Sequence, residues 1–88
     1  MGTPARPQPI RSGLELGRQV RDRRLHLGLT QAQLAARAGL TQPSVSRLER
    51  GLGLGSLDQL VALLNALGLD LGLFERSSDL PRAPWEQG

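Results

Sequence analysis

The chain has no cysteine, tyrosine or lysine, and it contains one histidine, one methionine, one phenylalanine and one tryptophan among 88 residues. Without cysteine it can form no disulfide, no thiol nucleophile and no cysteine-bound metal site, which fits a reducing cytoplasm. His26 alone cannot hold a metal ion, and no set of nucleophile, base and orienting acid can be assembled around it. We therefore expect no enzyme activity, no metal and no other cofactor.

Long apolar runs are also missing. No stretch approaches the roughly 20 residues that a membrane-spanning helix requires, and the N-terminus lacks the apolar core of a signal peptide. We expect a soluble cytoplasmic, nucleoid-associated protein of one small domain. A chain of this length buries only about 60–70% of its unfolded surface, so a second copy would be a natural source of additional core.

Charge is distributed unevenly along the chain. Residues 1–51 contain nine arginines and three acidic residues, whereas residues 52–88 contain two arginines and five acidic residues. The net charges are therefore +6 and −3. A basic half of this kind is typical of a protein that binds nucleic-acid phosphates.

The basic half contains the start and stop signals of a short helix. Thr30, with Gln33 three residues later, has the spacing of a capping box, so a helix starts near residue 31. Gly39 can adopt the left-handed conformation that ends a helix. Small apolar residues on one face would let a second helix cross closely, namely Leu34, Ala35 and Ala38.

A second helix is predicted directly after a tight turn. Thr41 can cap it, and Pro43 falls in its first turn, where the missing N–H costs nothing. Val45 and Leu48 point inward, and Gly51 closes the segment. Two short capped helices joined in this way predict a helix-turn-helix.

The other face of this second helix is polar. It carries short hydrogen-bonding groups and guanidinium groups, namely Thr41, Gln42, Ser44, Ser46, Arg47 and Arg50. Such groups can read base edges and phosphates in a major groove. A polar face can also be merely solvated, but the two caps, the hinge glycine and the small residues at the crossing favour DNA binding.

The stretch Leu16 to Gly51 resembles the Cro/C1-type (XRE) helix-turn-helix domain of lambdoid phage repressors. The resemblance includes its Val20-Arg21-x-x-Arg24 start and its Leu48-Glu49-x-Gly51 end. It implies a mainly α, four-helix lambda-repressor-like domain that binds a palindromic operator as a homodimer. It also implies a structural, partly buried ion pair between Arg24 and Glu49.

The same resemblance assigns roles to the polar residues. Those facing bases would be Gln42, Pro43, Ser46 and Arg47, with Thr41 and Ser44 at the rim. Those holding phosphates would be Gln31, Gln33, Arg37 and Arg50. Arg47 is the strongest candidate for base contact, because a guanidinium can bond bidentately to guanine.

Two further helices are expected around this motif. Ser12 with Glu15 and Ser56 with Gln59 have capping-box spacing, which predicts helices from about residue 13 to 27 and from residue 56 to 66. We expect the first helix to turn Leu16, Val20 and Leu27 inward, and Arg18, Arg21 and Arg23 outward. In the last helix we expect a buried stripe of Leu57, Leu60, Leu64 and Leu67, with Leu63 on another face.

Residues 68–76 change to the two-residue period of a strand. Leu69, Leu71 and Leu73 alternate along it, and with no second strand in the chain it would pair with the same strand of a second protomer. Four helices followed by one such strand resemble HipB-like antitoxins of HipA–HipB toxin–antitoxin pairs, whose dimers carry an intermolecular β-lid. This resemblance implies a HipA-like kinase as a possible partner, whereas a free-standing repressor would share every DNA-binding feature.

The ends of the chain complete the organisation. Residues 1–11 are expected to be a flexible arm, residues 12–67 the DNA-binding domain, 68–76 the dimerising strand and 77–88 a flexible tail. In HipB-like antitoxins a C-terminal tryptophan docks into the partner kinase, and Trp85 is the candidate here. The alternatives are that Trp85 packs on its own dimer or lies loose.

Overall fold

The structure, a computed structural model, describes residues 9–75, which contain four α-helices joined by short turns. The helices are α1 (Gly13–His26), α2 (Gln31–Ala38), α3 (Gln42–Glu49) and α4 (Leu57–Ala66). The prediction of a mainly helical, four-helix domain is confirmed. No helix in this part of the chain is long and apolar enough to cross a membrane.

Each helix begins at a hydroxyl cap. The side chains of Ser12, Thr30, Thr41 and Ser56 each accept a hydrogen bond from the backbone N–H three residues later. These bonds satisfy donors that the first turn of a helix leaves unpaired. The predicted helix starts follow from this local chemistry.

The full capping box forms at Thr30, where Gln33 accepts from the Thr30 N–H at 2.9 Å. The boxes predicted at the starts of α1 and α4 are wrong in one detail. Glu15 instead accepts from the Arg11 N–H, and Gln59 accepts from the Gly55 N–H. These acceptors therefore reach one residue farther back and tie down the chain that enters the helix.

The core lies where α2 packs on α3 and α4, and where α1 packs on α3. The buried apolar residues are Val20, Leu29, Leu34, Ala35, Val45, Leu48, Leu63, Leu64 and Leu67. The approach of α1 to the end of α3 is close, because a Cβ at Gly17 would lie 2.4 Å from the Leu48 carbonyl oxygen. Only glycine fits at this crossing.

Three leucines differ from the predicted arrangement. Leu63 is fully buried, whereas Leu57 at the first position of α4 is exposed. The buried stripe of α4 therefore starts one turn later than predicted, with Leu60 partly buried and with Leu63, Leu64 and Leu67 buried. Leu27 is exposed because the chain turns at the end of α1, and Leu29 fills the core instead. Arg23, predicted to face outward, is half-buried.

Residues 69–75 have no regular secondary structure. Leu69 packs against the core, whereas Leu71 is half exposed and Leu73 is 98% exposed. Pairing between two protomers involves a second chain, so the dimerising strand stays a prediction. Arg76, the tail with Trp85, and residues 1–8 of the arm lie outside the described residues.

Candidate nucleic-acid interface

The turn between α2 and α3 sets the crossing of the two helices. Gly39 has the left-handed conformation, with φ of 70°, and the Leu40 N–H donates to the Ala35 carbonyl at 2.8 Å. Leu34 and Val45 are fully buried between the helices. This arrangement turns the polar face of α3 away from the core.

The residues predicted to face bases lie on this one surface. Gln42, Pro43 and Arg47 are exposed, and Ser44 and Ser46 are half-buried. The Thr41 hydroxyl lies 2.8 Å from the Ser44 hydroxyl and also accepts from the Ser44 N–H. These two residues are therefore partly engaged in capping α3, while the side chains of Gln42 and Arg47 project farther into solvent.

Arg24 and Glu49 form an ion pair beneath this surface. Arg24 Nε donates to Glu49 Oε2 at 2.6 Å, and Arg24 Nη2 donates to Glu49 Oε1 at 2.9 Å. The two side chains are only 9% and 4% exposed, and Arg24 Nη1 also donates to the Leu29 carbonyl. The pair thus ties α1, the turn that precedes α2 and the end of α3 together.

The hydrogen bonds with Glu49 raise the pKa of Arg24, with a smaller opposing effect from burial. A cation whose pKa is raised by folding contributes stability that is lost only as the pH rises through the raised value. This value lies on the alkaline side of arginine's ordinary pKa, so Arg24 stays charged throughout the physiological range.

A chain of hydrogen bonds leads from this ion pair to the start of α3. Gln31 Nε2 donates to Glu49 Oε1 at 3.1 Å, and Gln42 Nε2 donates to Gln31 Oε1 at 3.2 Å. Because a carboxylate can only accept, Gln31 must turn its NH₂ group to Glu49 and its oxygen to Gln42. The buried charge therefore fixes the orientation of both amides. Gln42 keeps its oxygen and one N–H for an outside partner.

These hydrogen bonds were not predicted, although glutamine at the first position of both helices was their signal. From the sequence, Gln31 was expected only as a phosphate ligand and Glu49 only as a partner of Arg24. Their proximity arises from the crossing of α2 and α3, which joins residues 18 positions apart.

The other proposed phosphate ligands are more scattered. The Gln33 oxygen is used by the cap of α2, which leaves its NH₂ group at the surface. Arg50 is exposed, and its Nε lies 3.4 Å from the Ser46 carbonyl oxygen. Arg37 is exposed in the last turn of α2, ~9 Å along the helix from Gln31. The structure brings Gln31 and Gln42 together and leaves Arg37 apart from them.

The loop after α3 adds a feature to the interface. Ser44, Arg47 and residues 52–55 line a shallow surface pocket of about 200 Å³. No sequence pattern relates this loop to Arg47, so its position beside that side chain comes from the structure. Within residues 9–75 no group of histidine and acidic side chains could hold a metal ion.

Comparison with known proteins places the fold among DNA-binding regulators. A family model described as "Helix-turn-helix" matches residues 20–74. The restriction-modification controller protein C.AhdI from Aeromonas hydrophila is similar, with 33% identity and a TM-score of 0.62 over 66% of this chain and 88% of that one. The clp gene regulator ClgR from C. glutamicum has 31% identity and a TM-score of 0.63, over 74% and 82% of the two chains.

HipB is a further similar structure. In its complex with an O2 20mer it shares 28% identity with this chain, with a TM-score of 0.70 over 80% of this chain and 97% of that one. HipB in the HipA-HipB-O2-O3 complex gives a TM-score of 0.69 over 77% and 96%. Among curated protein sequences, none matches the chain.

Proposed function

The chain belongs to the helix-turn-helix family of DNA-binding regulators, and from this premise we propose that it represses transcription as a homodimer on a palindromic operator. We further propose that it is the antitoxin of a type II toxin–antitoxin module and neutralises a HipA-like kinase. Such a protein acts on the chromosome, so we place it in the cytoplasm, associated with the nucleoid.

The observation that carries the DNA-binding proposal is the exposed face of α3 with its fixed Gln42 amide. The oxygen and remaining N–H of Gln42 match the donor and acceptor that adenine presents in the major groove. Arg47, exposed on the same face, offers the guanidinium that matches guanine. Pro43 and Ser46 complete the proposed base-facing set, with Thr41 and Ser44 at its rim.

Phosphate contacts would set the register of the protein on the duplex. We assign them to Gln31, Gln33, Arg37 and Arg50, of which Gln31 and Gln33 lie at the N-terminus of α2, where backbone N–H groups favour an anion. Gln31 would then contact a DNA phosphate and also orient the Gln42 amide.

The division between base and phosphate contacts can be tested with two arginine variants. Arg47→Ala should lose about 1–3 kcal/mol on the operator and relax the preference at one base pair. Arg50→Ala should weaken binding to all sequences alike and lower the slope of log K against log salt by about one. Equal losses on operator and random DNA for both variants would contradict this assignment.

The homodimer is supported by apolar side chains that follow α4. Leu71 and Phe74 are about half exposed and Leu73 is almost fully exposed, which is unusual for neighbouring apolar residues in a monomer. Pairing of residues 68–76 with a second protomer would cover Leu71 and Leu73, with Leu69, Leu71 and Leu73 on the shared face. Two recognition helices would then enter successive major grooves on one face of the operator, at half-sites about 34 Å or a small multiple apart.

The antitoxin role is supported by the likeness to HipB over nearly all of the HipB chain. Its test is recovery of the tagged chain from its native cytoplasm, followed by mass spectrometry, beside a Trp85→Ala copy. A stoichiometric HipA-like kinase that Trp85→Ala weakens would support the antitoxin role and assign docking to Trp85. Recovery of only the protein itself and DNA would contradict it.

A free-standing repressor without a toxin is the second candidate. The likenesses to C.AhdI and ClgR, at 33% and 31% identity, favour it. It predicts the same operator binding, and the same recovery experiment separates it from the antitoxin through the absence of a kinase.

A further inference from the structure

One side chain of α1 reaches the end of α4. Arg23 Nε donates to the Leu67 carbonyl at 3.0 Å, and Arg23 is half-buried in doing so. Within residues 9–75, no other hydrogen bond joins α1 to α4 or to the C-terminal cap of α4. In the core, α1 packs mainly on α3 and α4 packs mainly on α2.

The contact lies where the chain leaves the domain. Leu67 is the buried C-terminal cap of α4, and Gly68 after it turns the chain with φ of 74°. A Cβ at Gly68 would lie 3.4 Å from Arg23 Nη2, so the guanidinium lies against the turn itself. Residues 69–75 follow directly, with the exposed Leu71 and Leu73.

The electrostatics of this helix end also favour Arg23. The last turn of α4 carries no basic residue of its own, although its carbonyl groups present a partial negative charge. A positive charge is favourable near such carbonyl groups, and Arg23 supplies it from α1. It therefore stabilises the Leu67 carbonyl both as a hydrogen-bond donor and as a cation.

We propose that Arg23 is a positioning residue that fixes the direction in which residues 69–75 leave the domain and thereby sets the half-site spacing of the operator. The proposal rests on the homodimer proposed above. If residues 68–76 join the protomers, the turn at Leu67 and Gly68 is the pivot between the dimer contact and each DNA-binding domain.

A small rotation at this pivot has a large effect on the DNA register. The helix α4 is ~15 Å long, so a rotation of about 10–15° at its end displaces its other end by ~3–4 Å. This displacement is comparable to the rise of one base pair, about 3.4 Å, and a turn of the domain by about 34–36° around the duplex axis would complete the shift to the neighbouring spacing. Loss of the Arg23 contact should therefore blur the preferred spacing by about one base pair while leaving each half-site contact intact.

The test starts from wild-type protein and a duplex library with about 40 random base pairs, from which the palindrome and its spacing are selected. Synthetic duplexes then carry the half-sites at the selected spacing, at one base pair more and less, and as a single half-site. Binding is compared for wild type, Arg23→Ala, Arg23→Lys and Arg21→Ala. Arg21 is an exposed arginine on the same helix, so its variant matches the change in charge without the contact to α4.

Arg23→Ala should bind the selected spacing about tenfold more weakly than Arg21→Ala, and its affinities for the three spacings should differ by less than about twofold. On the single half-site the two alanine variants should be equal. Arg23→Lys can still donate to the Leu67 carbonyl and should retain part of the spacing preference, which keeps the test available if Arg23→Ala does not fold.

Three results would overturn the inference: an unchanged spacing optimum in both Arg23 variants, a loss on the single half-site as large as on the palindrome, or loss of the dimer in sedimentation. Failure of the proposed function would be seen separately from failure of this inference, because wild-type protein would then select no palindrome from the library.

Discussion

The Arg24–Glu49 ion pair allows a sharp prediction about stability. In Glu49→Gln the shape of the side chain is kept, but its charge is lost and an NH₂ group replaces one of the two oxygens that Arg24 contacts. The new NH₂ group at position 49 then faces an N–H group of Arg24, so that two hydrogen-bond donors meet. The Arg24 guanidinium stays buried with its charge uncompensated. Removing one partner of a buried pair costs about 3–5 kcal/mol.

This cost is large for so small a domain. The 67 residues described would have a total stability of ~3–10 kcal/mol at the usual stability per residue. Glu49→Gln should therefore lower the melting temperature by ~12 °C or more, and a substantial fraction of the protein should be unfolded at 37 °C. Thermal and urea unfolding followed by circular dichroism measure both quantities.

Two controls define the result. Asp22→Asn removes an acidic charge from the exposed face of α1 and should change the unfolding free energy by less than about 0.5 kcal/mol. The double variant Arg24→Met with Glu49→Met should recover much of the loss, because it leaves no buried charge. A cost below about 1 kcal/mol for Glu49→Gln, as for a surface pair, would refute the reasoning.

Three further predictions follow from the glycines and from the amide chain. Gly17→Ala places a Cβ 2.4 Å from the Leu48 carbonyl oxygen and should lower the unfolding free energy by about 1–3 kcal/mol in urea titrations. Gly39→Ala meets no atom within 4 Å but keeps a φ of 70°, so it should cost only about 1 kcal/mol; a larger loss would indicate a contact that the structure lacks. Gln31→Leu should leave the fold intact and release the Gln42 amide, so selection from random duplexes should show a weaker preference for adenine at the Gln42 position. An unchanged preference would mean that Gln42 is oriented by the DNA alone.

Residues close in the chain made the helices predictable. Each helix starts at a hydroxyl that caps the N–H three residues later, and α2 ends at a glycine in the left-handed conformation. These interactions span a few residues, so the sequence alone determined where the four helices begin and that two of them form a helix-turn-helix. The family resemblance added the pair of Arg24 and Glu49, which no local pattern relates.

The tertiary structure decided the features that depend on how the helices are rotated and crossed. Neighbouring leucines in α4 are equally apolar, and only the packing of the helix in the core decides that Leu63 is buried and Leu57 exposed. The fixed Gln42 amide likewise depends on a carboxylate 18 residues from Gln31. The sequence determines which side chains can donate or accept hydrogen bonds. The fold determines the partners of Arg23 and Gln31, because hydrogen bonds between distant residues form only after the helices pack.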